Sequence, residues 1–180
     1  MDPAVQTRRD GPRVLIIEPS RSALGVMARR LNEAGHRVIA AESAEKGIAE
    51  LHRQPVALVL AELAMPVTTG IELVRLIRDD SKLRDIPVIL IAGRSDAGGA
   101  VRAFEAGADD VVTKPFDHDV LLARIARQIA RARAVGQLRH DNATLDARVV
   151  VRAIELGEMR AALAASESER ERLARIVRPD

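Results

Sequence analysis

Five short, almost wholly apolar runs recur along this chain, and between them apolar residues return every three or four positions. The runs 13–17, 37–41, 56–63, 87–92 and 110–113 have the length and continuity of strands buried on both faces. The intervening stretches have helical spacing: Leu24, Met27, Ala28 and Leu31 fall on one face of a helix that Ser20 caps and Gly35 ends. Further helices are expected over 43–52, 70–79, 97–106 and from Asp117 onward. Strands alternating with helices predict an α/β fold, a doubly wound parallel sheet with helices on both faces. Right-handed crossovers leave few strand orders. If the first and third strands are central neighbours, their carboxyl ends form a switch point, where open α/β sheets place their chemistry. Glu18 and Glu62 would then face one crevice, with Lys114, held by Pro115, reaching it from the other side.

The last helix does not stop where a domain would stop it. Between Pro115 and Pro179 there is no proline, and only Gly136 and Gly157 interrupt strong helix formers. A continuous helix of about 60 residues would extend roughly 90 Å. From Asn142 the apolar positions Leu145, Val149, Leu156, Met159 and Leu163, then Leu173 and Val177, keep the three-and-four spacing of a coiled-coil seam. Arg152, Ser166 and Arg170 interrupt that seam, and Asn142 at an a-like position is suited to fixing register and parallel pairing. The alternative is a helix that folds back or frays. The organisation expected is a disordered lead-in over 1–12, a domain over 13–130, and a helical extension over 131–180 that continues the fifth helix.

Composition narrows the chemistry. Among 180 residues there is no Trp, Tyr or Cys, and Phe104 and Phe116 are the only aromatics. Base-stacking platforms, disulfides, thiolate metal sites and a Cys nucleophile are thereby excluded. A net charge of +2 implies no polyanionic partner. Arg124, Arg127, Arg131, Arg133 and Arg139 form an acid-free basic stretch. With no helix-turn-helix pattern beside it, it reads as a solvated or dimer-facing surface, and nucleic acid is not an expected partner. His36, His52, His118 and His140 lack metal-ligand spacing and read as surface residues. Arg94 to Gly99, small and polar, reads as a mobile loop. No apolar run is long enough to span a bilayer and no signal core leads the chain, so the expected location is the cytoplasm, with no membrane contact. No triad or catalytic carboxylate pair is evident, and no enzymatic activity is expected.

Several landmarks carry a resemblance. Val14-Leu-Ile-Ile17 with Glu18-Pro19, Leu58-Val-Leu-Ala-Glu-Leu-Ala-Met-Pro66 with Gly70, Ile86-Pro-Val-Ile-Leu-Ile91, Glu105-Ala-Gly-Ala-Asp-Asp110 and Lys114-Pro-Phe116 stand in the order found in bacterial two-component receiver domains. Over about residues 13–130 the chain resembles that family. The resemblance implies a flavodoxin-like (βα)5 fold of strand order 2-1-3-4-5, which takes a phosphoryl group onto an aspartate from a histidine kinase. Matched position by position, the site is degenerate. Glu62 replaces the phospho-accepting aspartate. Glu18 and Pro19 stand where two metal-binding acids are expected, Ala92 replaces a hydroxyl residue, and Val111 replaces the aromatic switch residue, while Lys114 is retained.

Phosphoryl transfer depends on positioning and charge neutralisation, so a carboxylate moved by one methylene loses its in-line geometry. Mg²⁺ requires near-octahedral ligation, so binding at Glu18 and Glu62 is expected to be weak and no cofactor is expected. Two readings of Glu62 with Lys114 follow: a fixed charge that holds one signalling state, or a structural ion cluster. The resemblance also implies dimerisation through the fourth helix, fifth strand and fifth helix, with Asp109, Asp110 and Arg124 placed to pair there.

A second, compositional resemblance links Asn142, Leu145, Val149, Arg152, Glu155 and Leu156 to the helical linkers that precede HD-GYP phosphodiesterase domains. The function expected is an atypical receiver in a phosphorelay, acting through dimerisation with a histidine kinase or a downstream protein as partner. The alternatives are a phosphorylatable regulator, or the regulatory N-terminal part of a cyclic-di-nucleotide enzyme.

Overall fold

The computed structural model describes residues 11–94 and 98–176. Five strands alternate with five helices: β1 (Arg13–Ile17), α1 (Arg21–Glu33), β2 (Arg37–Ala41), α2 (Ala44–Arg53), β3 (Leu58–Glu62), α3 (Gly70–Asp79), β4 (Val88–Ala92), α4 (Gly99–Glu105), β5 (Asp110–Thr113) and α5 (His118–Ile176). All strands are parallel in one sheet of order β2-β1-β3-β4-β5. The expected α/β doubly wound fold and strand order are therefore those observed. By contacts the chain divides into two units, 1–133 and 134–180.

Strand alternation sorts the core into two layers. Leu15, Ile17, Val59, Ala61 and Leu90 point to one face, where Leu51 of α2, Leu73 and Ile77 of α3 and Ala103 of α4 cover them. Val14, Ile16, Leu58, Leu60 and Ile91 point to the other, against Leu24 and Leu31 of α1 and Leu121 and Ile125 of α5. With both faces covered, these strands read as unbroken apolar runs. β3 is shorter than the expected 56–63, because the ladder is regular only over Leu58–Glu62, although Ala57 N–H still donates to Arg13 O at 2.8 Å. The fourth helix expected over 97–106 is observed as Gly99–Glu105, so Gly99 of the expected mobile loop 94–99 is helical, and 95–97 of that loop lie outside the described residues.

Most of the expected disordered lead-in, residues 1–10, also lies outside the described residues. Gly11 and Pro12 belong to the fold instead: Pro12 O accepts the Arg37 N–H at 3.1 Å, and a Cβ on Gly11 would come within 1.8 Å of Gly35 O. His36, expected on the surface, is half-buried beside Pro12, and its Nδ1 has no hydrogen-bond partner among the described residues. Burial lowers its imidazole pKa, against a hydrogen bond with the Pro12 backbone.

The turn from β3 into α3 is tightly specified. Thr69 and Glu72 form a reciprocal capping box, with Thr69 N–H donating to Glu72 Oε2 at 2.8 Å and Glu72 N–H to Thr69 Oγ1 at 3.3 Å. A Cβ on Gly70 would stand 2.7 Å from Glu62 O, so only glycine lets α3 start directly over the end of β3. Within this turn Val67 has φ of 67° and is 95 % exposed. A β-branched residue in the left-handed region is strained and here buries nothing in return. Val67→Asn is expected to stabilise the domain by about 1 kcal/mol, since Asn tolerates that conformation. A rise in urea midpoint at unchanged slope would register the gain.

Candidate functional site

Parallel register brings the carboxyl ends of β1, β3, β4 and β5 to one edge of the sheet. Ile17 stands beside Ala61, Glu62 beside Ile91, and Ala92 beside Thr113. The residues leaving β1, ending β3 and leaving β5 are therefore neighbours, and they are Glu18, Glu62 and Lys114. The three side chains expected to meet at the switch point are in contact there.

Glu18 is 4 % exposed, a buried carboxylate. Its backbone N–H is fixed to Ala41 O at 3.0 Å, and its Oε1 accepts the Ser20 N–H at 2.9 Å as the chain turns into α1. Its Oε2 lies 3.5 Å from Lys114 Nζ. The same ammonium donates to Glu62 Oε2 at 2.5 Å. Lys114 is anchored from behind, its N–H donating to Ala92 O at 2.9 Å. One ammonium thus bridges two carboxylates and leaves one uncompensated negative charge.

Burial and the shared cation together move the ionisation equilibria. Burial raises the Glu62 carboxyl pKa above its ordinary value; the hydrogen bond and charge of Lys114 oppose the rise, and nearby Glu18 adds to it. For Lys114, burial alone would lower the pKa, but the hydrogen bond and charge of Glu62, helped by Glu18, prevail and raise it. The two directions are compatible: burial makes the Glu62 carboxyl hold a proton more tightly, and two carboxylates around one ammonium make Lys114 hold its own.

The other matched positions offer no polar group. Ala92 is 1 % exposed and carries a methyl where a hydroxyl would bind an oxyanion. Pro19 has neither a side-chain ligand nor an N–H. Val111 packs half-buried against the α2–α3–α4 layer. For Mg²⁺ this is a poor donor set, since the two carboxylates already close on the Lys114 ammonium and Glu18 also serves the Ser20 N–H. Among the described residues no group of three or more His, Asp or Glu side chains could hold a metal ion.

Asp109, Asp110 and Arg124, expected to pair across a dimer, are engaged within the chain. Arg124 Nη1 donates to both oxygens of Asp110, at 2.8 and 2.7 Å. Asp109 Oδ2 accepts from Arg78 Nη2 at 2.7 Å and from the Val88 N–H at 2.8 Å, so it clamps α3 to the start of β4. The same guanidinium donates to Gly107 O at 2.9 Å and to Ile86 O at 2.8 Å. Sequence reasoning passed over Arg78, although its place four residues after Val74 sets it at the edge of the apolar stripe. Gln128, buried on α5, donates to Asp109 O at 3.2 Å and was likewise passed over.

The second unit consists of α5 from Ala134 onward. The expected seam residues Leu145, Val149, Leu156, Met159 and Leu163 are helical and between 46 and 66 % exposed in the single chain, and Asn142 is exposed with them.

Sheet order, strand-end cluster and alternating helices define a doubly wound α/β domain with a charged site at its switch point. The family model for the response regulator receiver domain matches residues 14–126. PhoB, the phosphate regulon transcriptional regulatory protein of Pseudomonas aeruginosa, is 31 % identical over 121 residues, covering 67 % of this chain and 53 % of its own length. KdpE, a transcriptional regulatory protein of Mycobacterium tuberculosis, is 32 % identical over 125 residues, covering 69 % and 54 %. Among solved structures, the receiver domain of a signal transduction histidine kinase from Syntrophus aciditrophicus superposes with a TM-score of 0.63 at 30 % identity, covering 67 % of this chain and 91 % of that one. The receiver domain of the P. aeruginosa sensor kinase PA1611, which holds a magnesium ion in its active-site cleft, gives 0.62 at 25 % identity, covering 67 % and 98 %. The chain belongs to the response regulator receiver domain family. It spans about half the length of the curated relatives it matches. Among the described residues no helix is long and apolar enough to cross a membrane.

Proposed function

We propose that this chain is a receiver of a two-component phosphorelay that signals without accepting a phosphoryl group, and that it works in the cytoplasm as a non-enzymatic dimerisation module. The observation that carries this reading is the Lys114 bridge. Its ammonium, placed to meet a phosphoryl oxygen, is already bound to Glu62 at 2.5 Å and to Glu18 at 3.5 Å. A phosphodonor would meet a site with an excess negative charge, no hydroxyl at Ala92, no second acid at Pro19 and weak Mg²⁺ binding. Glu62 carries its carboxylate one methylene farther than Asp and supplies a standing negative charge to Lys114, which favours one fixed signalling state. The output then passes through self-association of the C-terminal helix or contacts of the α4–β5–α5 face with a histidine kinase or a downstream protein.

Incubation with acetyl phosphate and Mg²⁺ followed by intact-mass analysis is expected to show no phosphoryl adduct, and an adduct on Glu62 would overturn the reading. Sedimentation of the chain with and without residues 138–180 is expected to give a dimer and a lighter species. The fixed-state role of Glu62 predicts that Glu62→Gln changes self-association or partner binding; no change in either would leave the cluster a structural one.

A further inference from the structure

The exposed helix beyond Ala134 carries a directional code. With Val135 at a and Leu138 at d, the alternation of three and four residues runs unbroken to Leu173, and its apolar members are 41 to 66 % exposed in the single chain. We propose that two copies of this chain pair antiparallel along residues 135–173, in one register that sets Val135 of each against Leu173 of the other; this rests on the reading above that the helix self-associates.

A parallel, in-register pair sets every seam residue against its own copy. Arg152 then faces Arg152, and Arg170 faces Arg170, inside the seam. On the flank Asp141 at g lies against Asp146 at e of the second copy. Only Glu155 with Arg160 of the second copy is attractive among the flanking pairs. Buried like charges and facing like flanks both oppose association.

Reversing one helix pairs each a position with a d position. Asn142 then meets Ser166, so the two polar layers coincide and hydrogen-bond to each other. Val149 meets Met159, and Leu145 meets Leu163. Arg152 and Arg170 meet Leu156 and Leu138, over which their stems lie while the guanidinium groups reach the flank. On the e flank Arg139 lies against Glu167 and Asp146 against Arg160, each pair occurring twice by symmetry. On the g flank Glu155 meets its own copy, but Arg152 of each helix emerges on the same side and supplies the opposite charge. Asp141 and Glu169 also face each other there. Each already has an in-helix partner: Gln137 donates to Asp141 at 2.8 Å, and Arg172 lies 3.8 Å from Glu169. A slide of one heptad in one direction sets Arg139 against Arg160, and in the other it sets Asp146 against Glu167. Either slide also brings Arg148 against Glu155 or Glu169 on the g flank, so charge alone leaves the registers close. The coincident polar layer decides, because a slide sets Asn142 against Met159 or Leu173 and Ser166 against Val135 or Val149, and Asn142 pairs with Ser166 in place of specifying a parallel pair.

The chain has no Cys, so single cysteines report the arrangement cleanly. Full-length Asn142→Cys and Ser166→Cys chains are co-expressed, oxidised and resolved by intact mass. The antiparallel register predicts a disulfide between the two different chains, because the two copies of residue 142 lie about 36 Å apart. Disulfides joining identical chains would overturn it. Asp146→Arg gives an independent readout. It sets a guanidinium against Arg160 of the second copy in the antiparallel pair and is expected to raise the dimer dissociation constant about tenfold. In a parallel pair the same substitution would place a positive charge against Asp141 and tighten the dimer, which overturns the proposal. Sedimentation of the wild-type chain separates the two levels of failure. A dimer with the wrong disulfides refutes the orientation alone, whereas a monomer refutes the self-association on which it rests.

Discussion

Lys114→Met is expected to destabilise the domain by about 2–3 kcal/mol at neutral pH, below the range for a fully buried pair because Lys114 is 39 % exposed. The substitution preserves much of the side-chain volume and removes the one cation between Glu18 and Glu62, leaving two carboxylates facing each other at a buried strand edge. The pH dependence identifies the cause. In the native protein the Glu62 pKa is raised, so the folded state holds that proton more tightly than the unfolded chain does; the contribution is full below the ordinary value of 4.5 and is lost as pH rises through the raised one. Without Lys114 the Glu62 pKa rises further. The deficit of the variant should therefore be largest at pH 7.5 and shrink as pH falls toward 5.

Exposed carboxylates do not confuse that interval. The Glu72 pKa is lowered by the Thr69 backbone hydrogen bond and that of Glu42 by Lys46 and Arg21, and such groups lose their contribution only as pH falls below their ordinary 4.5. The Lys114 pKa is raised, so its own stabilisation is present below 10.5 and is lost only as pH rises through a still higher value. Urea unfolding at pH 7.5 and 5 measures the difference. Adding Glu62→Gln should restore most of the loss at pH 7.5. A deficit of equal size at both pH values would mean that Lys114 acts through packing and not charge.

The second large effect concerns chemistry that three substitutions should return. Glu62→Asp alone is expected to give no phosphoryl adduct with acetyl phosphate and Mg²⁺, whereas Glu62→Asp with Pro19→Asp and Ala92→Thr is expected to give a readily detected one. The shorter carboxylate withdraws from Lys114 and frees its ammonium for a phosphoryl oxygen. The aspartate at 19 adds a second acid for the metal beside Glu18, and the threonine supplies a donor at the end of β4. Each change supplies one part of a site whose parts act together, so single changes should achieve little. Intact mass before and after treatment decides it. A modified Glu62→Asp single variant would show that the carboxylate position alone had blocked transfer, and an unmodified triple variant that the strand-end geometry itself has drifted.

Much of the fold was legible because the features that specify it are local. The five apolar runs contain the five strands, Ser20 caps α1, and α3 starts at Gly70 as expected, whereas Ser43, expected inside α2, is its N-cap. The site was legible as a set of identities: which residue stands at each strand end follows from the order of the chain. Its connections were not. Within the chain Arg78 binds Asp109 and Asp110 binds Arg124, pairings that no local pattern announces. His36 looked like a surface residue and is half-buried behind Pro12.

The sequence by itself determined the alternation of strands and helices, the identities Pro19, Ala92 and Val111, and the three-and-four spacing of apolar residues beyond Ala134, because periodicity and side-chain chemistry are properties of neighbouring residues. Only the tertiary structure decided that Lys114 binds Glu62 and Glu18, from which 52 and 96 residues separate it. The physical reason is that a buried charge takes whichever opposite charge or hydrogen-bond partner the packed sheet brings within reach. Distance along the chain says nothing about which partner that will be.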